Sequence, residues 1–205
     1  MKMFAALVLL ATAGCATTAT PQRDFFTDLS SLCGKSFAGK FTSPPAPADA
    51  DFAGKVMVMH VRECSADTIR VPFHVADDHS RTWVITRIGT GRGTGLRLKH
   101  DHRHKDGAED KVTQYGGDSV TPVGAARQEF PADQFTKDLL IREGNTAGAN
   151  NVWAVEIVPG RTFAYELRRP GRFFRVEFDL TRPVAAPPPP WGSHSSAPAT
   201  HGVER

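Results

Sequence analysis

"VWAVEIVPGRTFAYELRRPGRFFRVEF", residues 152–178, decides the fold. Trp153, Val155 and Ile157 alternate with other residues, which is the period of a strand buried on one face. The loop Pro159–Arg161 then sets Ile157 opposite Phe163, Val155 opposite Tyr165 and Trp153 opposite Leu167. A two-residue turn at Pro170 and Gly171 repeats the operation, setting Leu167 opposite Phe174, Tyr165 opposite Val176 and Phe163 opposite Phe178. Two turns thus agree on one continuous apolar face shared by three antiparallel strands. A slip of one residue at either turn would put one strand's apolar set on the wrong side.

Working outward, the chain from Phe37 to Leu180 keeps mostly to period two and is broken at short intervals by Gly, Pro, Asn and Asp, the pattern of an antiparallel meander. "IRVPFHV" (69–75) presents Ile69, Val71, Phe73 and Val75 on one side, and the turn "ADDHS" is expected to set Phe73 opposite Trp83 and Val71 opposite Ile85. Pro72 marks an edge or a bulge. "GTGRGTG" (89–95) lacks the last glycine of G-x-G-x-x-G because Thr94 stands there, so it reads as a glycine hairpin and not as a phosphate cradle. That hairpin places Ile85 against Leu98, Trp83 against His100 and Arg81 against His102. Phe25, Leu29 and Leu32 are spaced four and three apart before Gly34, which predicts a short helix that caps or plugs the fold. A second short helix is expected within 130–142, with Pro131 in its first turn and Phe135, Leu139 and Leu140 on its inner side. Roughly eight to ten short strands with two helices predict an all-β fold, mainly antiparallel, closed into a barrel, because an open meander of that length would expose its edges. With its N-terminal helix and the Gly-containing first strand "LCGKSFAGKF", the topology is similar to the calycin group of lipocalins and fatty-acid-binding proteins.

Residues 1–14 read as an export signal: a lysine, an apolar stretch of about a dozen residues too short to remain in a bilayer of roughly 30 Å, then small residues before Cys15. This resembles a bacterial lipoprotein signal, which implies lipidation at Cys15, and Ala16 after it implies the outer membrane of a Gram-negative cell; a secreted or soluble periplasmic form is the alternative. Residues 15–24 would be a tether, 25–183 a single domain, and the Pro-rich 184–205 a disordered or polyproline tail. Export makes Cys33 and Cys64 a candidate disulfide. Their midpoint falls inside the loop "SPPAPADAD" (43–51), so an antiparallel pairing of the flanking segments would bring them together, at a stabilisation of about 3 kcal/mol. The net charge of +3 arises from 25 basic and 22 acidic residues interspersed along the chain, which argues against a nucleic-acid partner.

"LRLKHDHRHKDG" (96–107) carries His100, His102 and His104 at alternate positions that continue Leu96 and Leu98. The leucines fix the inner face, so His100 and His102 should look into one mouth of the barrel, with Arg81, Trp83 and Tyr115 beside them and Thr113 nearby. Several readings fit such a cluster. His100, His102 and His104 could hold zinc or another divalent metal, with His60, His79 or Asp110 as alternative third ligands. A haem could take an axial histidine. Arg81 could pair with an anionic or amphipathic small molecule stacked on Trp83 and Tyr115. His100 could act as an acid or base, although no nucleophile and base arrangement is visible, and Ser80 beside His79 on a turn does not make one. Finally, the polar groups could satisfy one another, with Asp77 and Asp78 orienting Arg81.

"HVADDHSRTWVITR", "GLRLKHDHRHKDG", "VTQYGG", "FPAD" and "FDLTRPV" together resemble a group of uncharacterised bacterial envelope proteins with a DDxSRTW motif and an LKHDHRHxDG motif in this order. The resemblance implies export and one small β-rich domain, and carries no activity. The expectation is therefore an envelope lipoprotein, anchored in the membrane through Cys15, that binds a small molecule or metal at a His/Arg/Trp-lined mouth. The alternative is a structural or protein-interaction lipoprotein without a ligand, and neither reading requires catalysis.

Overall fold

A computed structural model describes residues 24–44, 46–89 and 95–193. The signal at 1–14, Cys15, most of the tether, the centre of the glycine hairpin and the tail from 194 lie outside the described residues. Among the described residues eleven strands form one antiparallel sheet: β1 (Ser36–Phe41), β2 (Met57–His60), β3 (Glu63–Cys64), β4 (Thr68–Val75), β5 (Asp78–Ile88), β6 (Gly95–His102), β7 (Tyr115–Asp118), β8 (Arg127–Pro131), β9 (Val152–Val158), β10 (Thr162–Arg169) and β11 (Arg172–Val184). The order is a meander, β7-β6-β5-β4-β2-β1-β11-β10-β9-β8, in which the last strand returns to pair with the first. β2 and β3 pair with different parts of β4 and act as one bent strand.

The sheet is nearly closed into a barrel, and the remaining seam lies between β7 and β8. It is bridged by Val120 N–H donating to Glu129 O at 3.0 Å, by Asp133 N–H donating to Gly116 O at 3.0 Å, and by Thr136. The Thr136 hydroxyl accepts from Gly116 N–H at 2.7 Å and donates to Gly116 O at 2.8 Å. Helix α2 (Gln134–Arg142) supplies this residue, and its N-cap Asp133 accepts from Thr136 N–H. The other helix, α1 (Phe25–Ser30), is stopped at Gly34, whose φ of +78° is the left-handed conformation glycine adopts without strain. It buries Phe25, Phe26 and Leu29 at the barrel end marked by Arg87, while Arg81, six residues back along β5, marks the opposite mouth.

Register between β9, β10 and β11 is that expected from the two turns, and β5 and β6 pair as expected, Trp83 with His100 and Arg81 with His102. Between β4 and β5 the expectation is corrected by two residues: Val71 faces Trp83 and Phe73 faces Arg81. The connection is tighter than "ADDHS" suggested, because Val75 pairs with Asp78 across a turn that holds Ala76 at φ 51°, and a bulge between Phe73 and Val75 absorbs the difference. The four inward residues of β4 stay buried, since a shift of two preserves the face.

The α2 face is also corrected. Pro131 ends β8 instead of opening the helix, Leu139 and Leu140 are buried, and Phe135 is 54% exposed, its ring lying 5.1 Å from Lys99 Nζ. Cys33 and Cys64 are disulfide-bonded across a Cα–Cα distance of 6.4 Å, next to the expected β1/β2 pairing. At the start of the Pro-rich segment 184–205, Val184 belongs to β11, Pro190 is buried, and Trp191 N–H donates to His79 O at 3.0 Å.

Candidate functional site

Strand β6 turns Leu96, Leu98 and His100 into the barrel, each no more than 2% exposed, while Arg97 and Lys99 face out to Asp118 and Asp133. His100 sits where β5, β7, β9 and β10 converge. Its Nδ1 lies 3.0 Å from Tyr115 O, which can only accept, so Nδ1 carries the proton and Nε2 accepts from Tyr165 OH at 2.7 Å. Tyr115 stacks on the imidazole at 4.4 Å between centroids. Burial, reinforced by His102, depresses the His100 pKa to about 3. His102 is half-buried, its Nε2 lies 3.1 Å from Tyr115 OH, and burial followed by the Arg81 charge lowers its pKa to about 4. Burial likewise pushes both tyrosine hydroxyls up. Tyr115 thus ties His100 to His102, through its carbonyl on one side and its hydroxyl on the other, and with Tyr165 they make a linked group that is neutral at physiological pH.

Beside this group is a cavity of about 280 Å³ with aromatic walls of Phe73, Trp83, Trp153 and Tyr165. Trp83 stacks on Tyr165 at 4.4 Å and on Phe73 at 4.8 Å. Its rim is basic. Arg81 pairs with Asp78, as the turn reading expected, and lies 5.4 Å over the Phe52 ring. Arg169 and Arg172 face each other across the β10/β11 turn, a like-charge cross-strand pair that costs stability. Arg172 bonds Asp49 at 2.5 Å, whereas Arg169 finds, among the described residues, the neutral Asn151 Oδ1 at 2.9 Å. Burial, then the neighbouring Arg172, lowers the Arg169 pKa, as expected for a cation not fully compensated. Asp110 is the acidic residue of the rim.

The structure brings Arg81, Trp83, His100, His102 and Tyr115 together around this one cavity. It does not assemble the metal site. His104 lies beyond the end of β6 with its side chain 58% exposed, 3.7 Å from Asp110, and both His100 nitrogens are committed to hydrogen bonds. No group of three His, Cys, Asp or Glu side chains among the described residues is placed to hold a metal ion. The same commitment leaves His100 no nitrogen for an axial haem bond. His79 Nδ1 pairs with buried His74 Nδ1 at 2.6 Å on the outward side of β4 and β5, with Trp191 beside His79.

Arg169, Arg172, Asp49, Phe52 and Tyr165 escaped the sequence reading of the site. The turn at Pro170 and Gly171 already fixed Arg169 opposite Arg172, so the cation pair was within reach of that arithmetic. Asp49 and Phe52 had no such signal. Phe52 packs against Phe174 at 4.8 Å from within a connection whose course no periodicity reveals. No family model, curated protein or solved structure matches the chain.

Proposed function

We propose that the protein is an exported bacterial envelope protein whose barrel mouth binds a small, flat, anionic amphipathic molecule. The observation that carries this reading is the Arg169–Arg172 pair at the rim of an aromatic cavity, with Arg169 lacking a carboxylate partner among the described residues. Two cations held side by side at a cost to stability suit a site for a carboxylate, sulfonate or phosphate. The aromatic walls suit a planar body, and a volume near the small end of ligand pockets suits one or two fused rings. At the floor the Tyr165 oxygen, which donates to His100, keeps room to accept a hydrogen bond from a polar substituent, and the neutral histidines neither repel nor attract charge.

The disulfide supports an oxidising compartment. Export and lipid anchoring at Cys15, on the periplasmic face of the outer membrane, are part of the proposal. Cys15→Ser should move the protein from the membrane fraction to the soluble periplasm, and retention in membranes would refute the anchor. One observation favours the rival reading of a ligand-free structural or interaction protein: the hydrogen bonds that link His100, Tyr165, Tyr115 and His102 form without any ligand. Untargeted mass spectrometry of small molecules released from the native protein and from Leu167→Trp, which fills the cavity, separates the two. An aromatic acid enriched with the native protein and lost in the variant supports the binding reading. Identical extracts support the rival.

A further inference from the structure

We infer that residues 46–55 form a gate over the cavity, latched by the Asp49–Arg172 ion pair, and that the ligand's anionic group opens it by replacing Asp49 on Arg172. The inference rests on the acid-binding reading of the cavity and adds how that site admits its ligand. The segment lies between β1 and β2 and folds inward across the mouth. Its backbone–backbone bonds stay within itself, Asp49 N–H to Ala46 O, Phe52 N–H to Asp49 O at 2.9 Å, Ala53 N–H to Asp49 O and Lys55 N–H to Phe52 O, and Arg172 Nη2 adds a long bond from the barrel to Ala48 O at 3.5 Å. The flanks are fastened to the barrel, Thr42 N–H to Arg175 O at 2.9 Å and Ala76 N–H to Val56 O at 2.8 Å. Two side chains hold the middle down. Phe52 packs edge-on against Phe174 and stacks over Phe73 at 6.3 Å with Arg81 above it, and Asp49 reaches Arg172.

The Asp49 latch is under-bonded for a buried ion. Asp49 is 0% exposed, and while Oδ1 lies 2.5 Å from Arg172, buried Oδ2 has no hydrogen-bond partner among the described residues. Arg172 Nε is likewise buried without one, and Arg172 lines the cavity. A buried carboxylate with one oxygen unmet carries a desolvation cost that its single contact only partly offsets. An incoming carboxylate or sulfonate can engage the Arg172 fork through two oxygens and share Arg169, which Asp49 does not. The exchange returns Asp49 to water and frees Phe52 to swing out. A neutral molecule of the same shape has nothing with which to release the latch, so the gate selects for charge before the walls select for shape.

The probe is 2-naphthoate, with 2-naphthylmethanol as its uncharged counterpart, followed by tryptophan fluorescence. The full chain, Asp49→Asn and Phe52→Ala are compared, together with hydrogen exchange of the amides of Phe52, Ala53 and Lys55. In the native protein the closed state lowers apparent affinity by the fraction of molecules that are open. Asp49→Asn should therefore bind naphthoate about tenfold more tightly, and its gate amides should exchange faster. Phe52→Ala, which leaves the charges in place, should speed naphthoate association while keeping the preference for acid over alcohol. Equal naphthoate affinity in the native protein and Asp49→Asn overturns the gate, as does equal exchange at the three amides. Failure of naphthoate to bind either protein overturns the acid-binding reading, and the exchange rates then still decide for or against the latch.

Discussion

At the scale of single residues, His100 ties the site to the barrel's stability. Its two nitrogens bond partners on different strands, and Tyr165→Phe would leave buried Nε2 without a donor. That substitution should cost about 1–3 kcal/mol in denaturant unfolding. His100→Leu should cost at least as much, because Tyr165 OH and Tyr115 O both lose a partner. The double variant should cost less than the sum of the two, since each single change strands a group that the pair removes together. Asp101 shows what the sequence hid at this scale. Alternation put it on the solvent face, yet it is 4% exposed, with Arg70 at 2.6 Å and Arg103 at 2.8 Å neutralising it. Alternation reports which side of a strand a residue occupies and says nothing of what the chain later folds over that side.

At the scale of elements, the seam between β7 and β8 is the weakest part of the closure and depends on two glycines. A Cβ at Gly117 would lie 1.8 Å from Pro131 O, and at Gly116, with φ 151°, it would meet Leu98 O at 1.9 Å. Gly117→Ala must push β7 from β8, so its thermal midpoint should fall further than that of Thr136→Val. The latter loses two hydrogen bonds and should cost about 1–3 kcal/mol. Removing the disulfide by Cys33→Ser with Cys64→Ser should cost about 3 kcal/mol on the loop-entropy account. Turn arithmetic recovered the β9, β10, β11 and β5, β6 registers because short connections leave few ways to pair two strands. It missed β4 against β5 by two residues because a bulge and the strained Ala76 turn cannot be read from alternation. The same limit hid Asp49 and Phe52, since a connection without periodicity gives no clue to what it covers. Arg169 and Arg172, flanking a turn that was read correctly, were legible as a pair, and their meaning emerged only beside the aromatic walls.

At the scale of the whole molecule, burying histidines in neutral form makes stability depend on pH. Burial first, then neighbouring charges, hold His74 near 4 and His100 near 3, while an unfolded imidazole protonates near 6.5. Below pH 6.5 the unfolded chain therefore binds more protons than the native one, and stability falls as pH drops towards 4. Each of these histidines contributes a slope of about 1.4 kcal/mol per pH unit in that window. His74→Asn should flatten the profile by one such share in urea melts between pH 4.5 and 6.5, and an unchanged profile would contradict the native-state neutrality of His74. The imidazole of His100 reports on the central claim, because its environment exists only if β5, β6, β7, β9 and β10 close around it and the histidine row faces inward with Leu96 and Leu98. Heteronuclear NMR of the ring nitrogens across pH 4 to 8 reads this directly. A neutral ring protonated at Nδ1 throughout that range is the expected result; a ring that titrates near 6.5, or one protonated at Nε2, would contradict this packing.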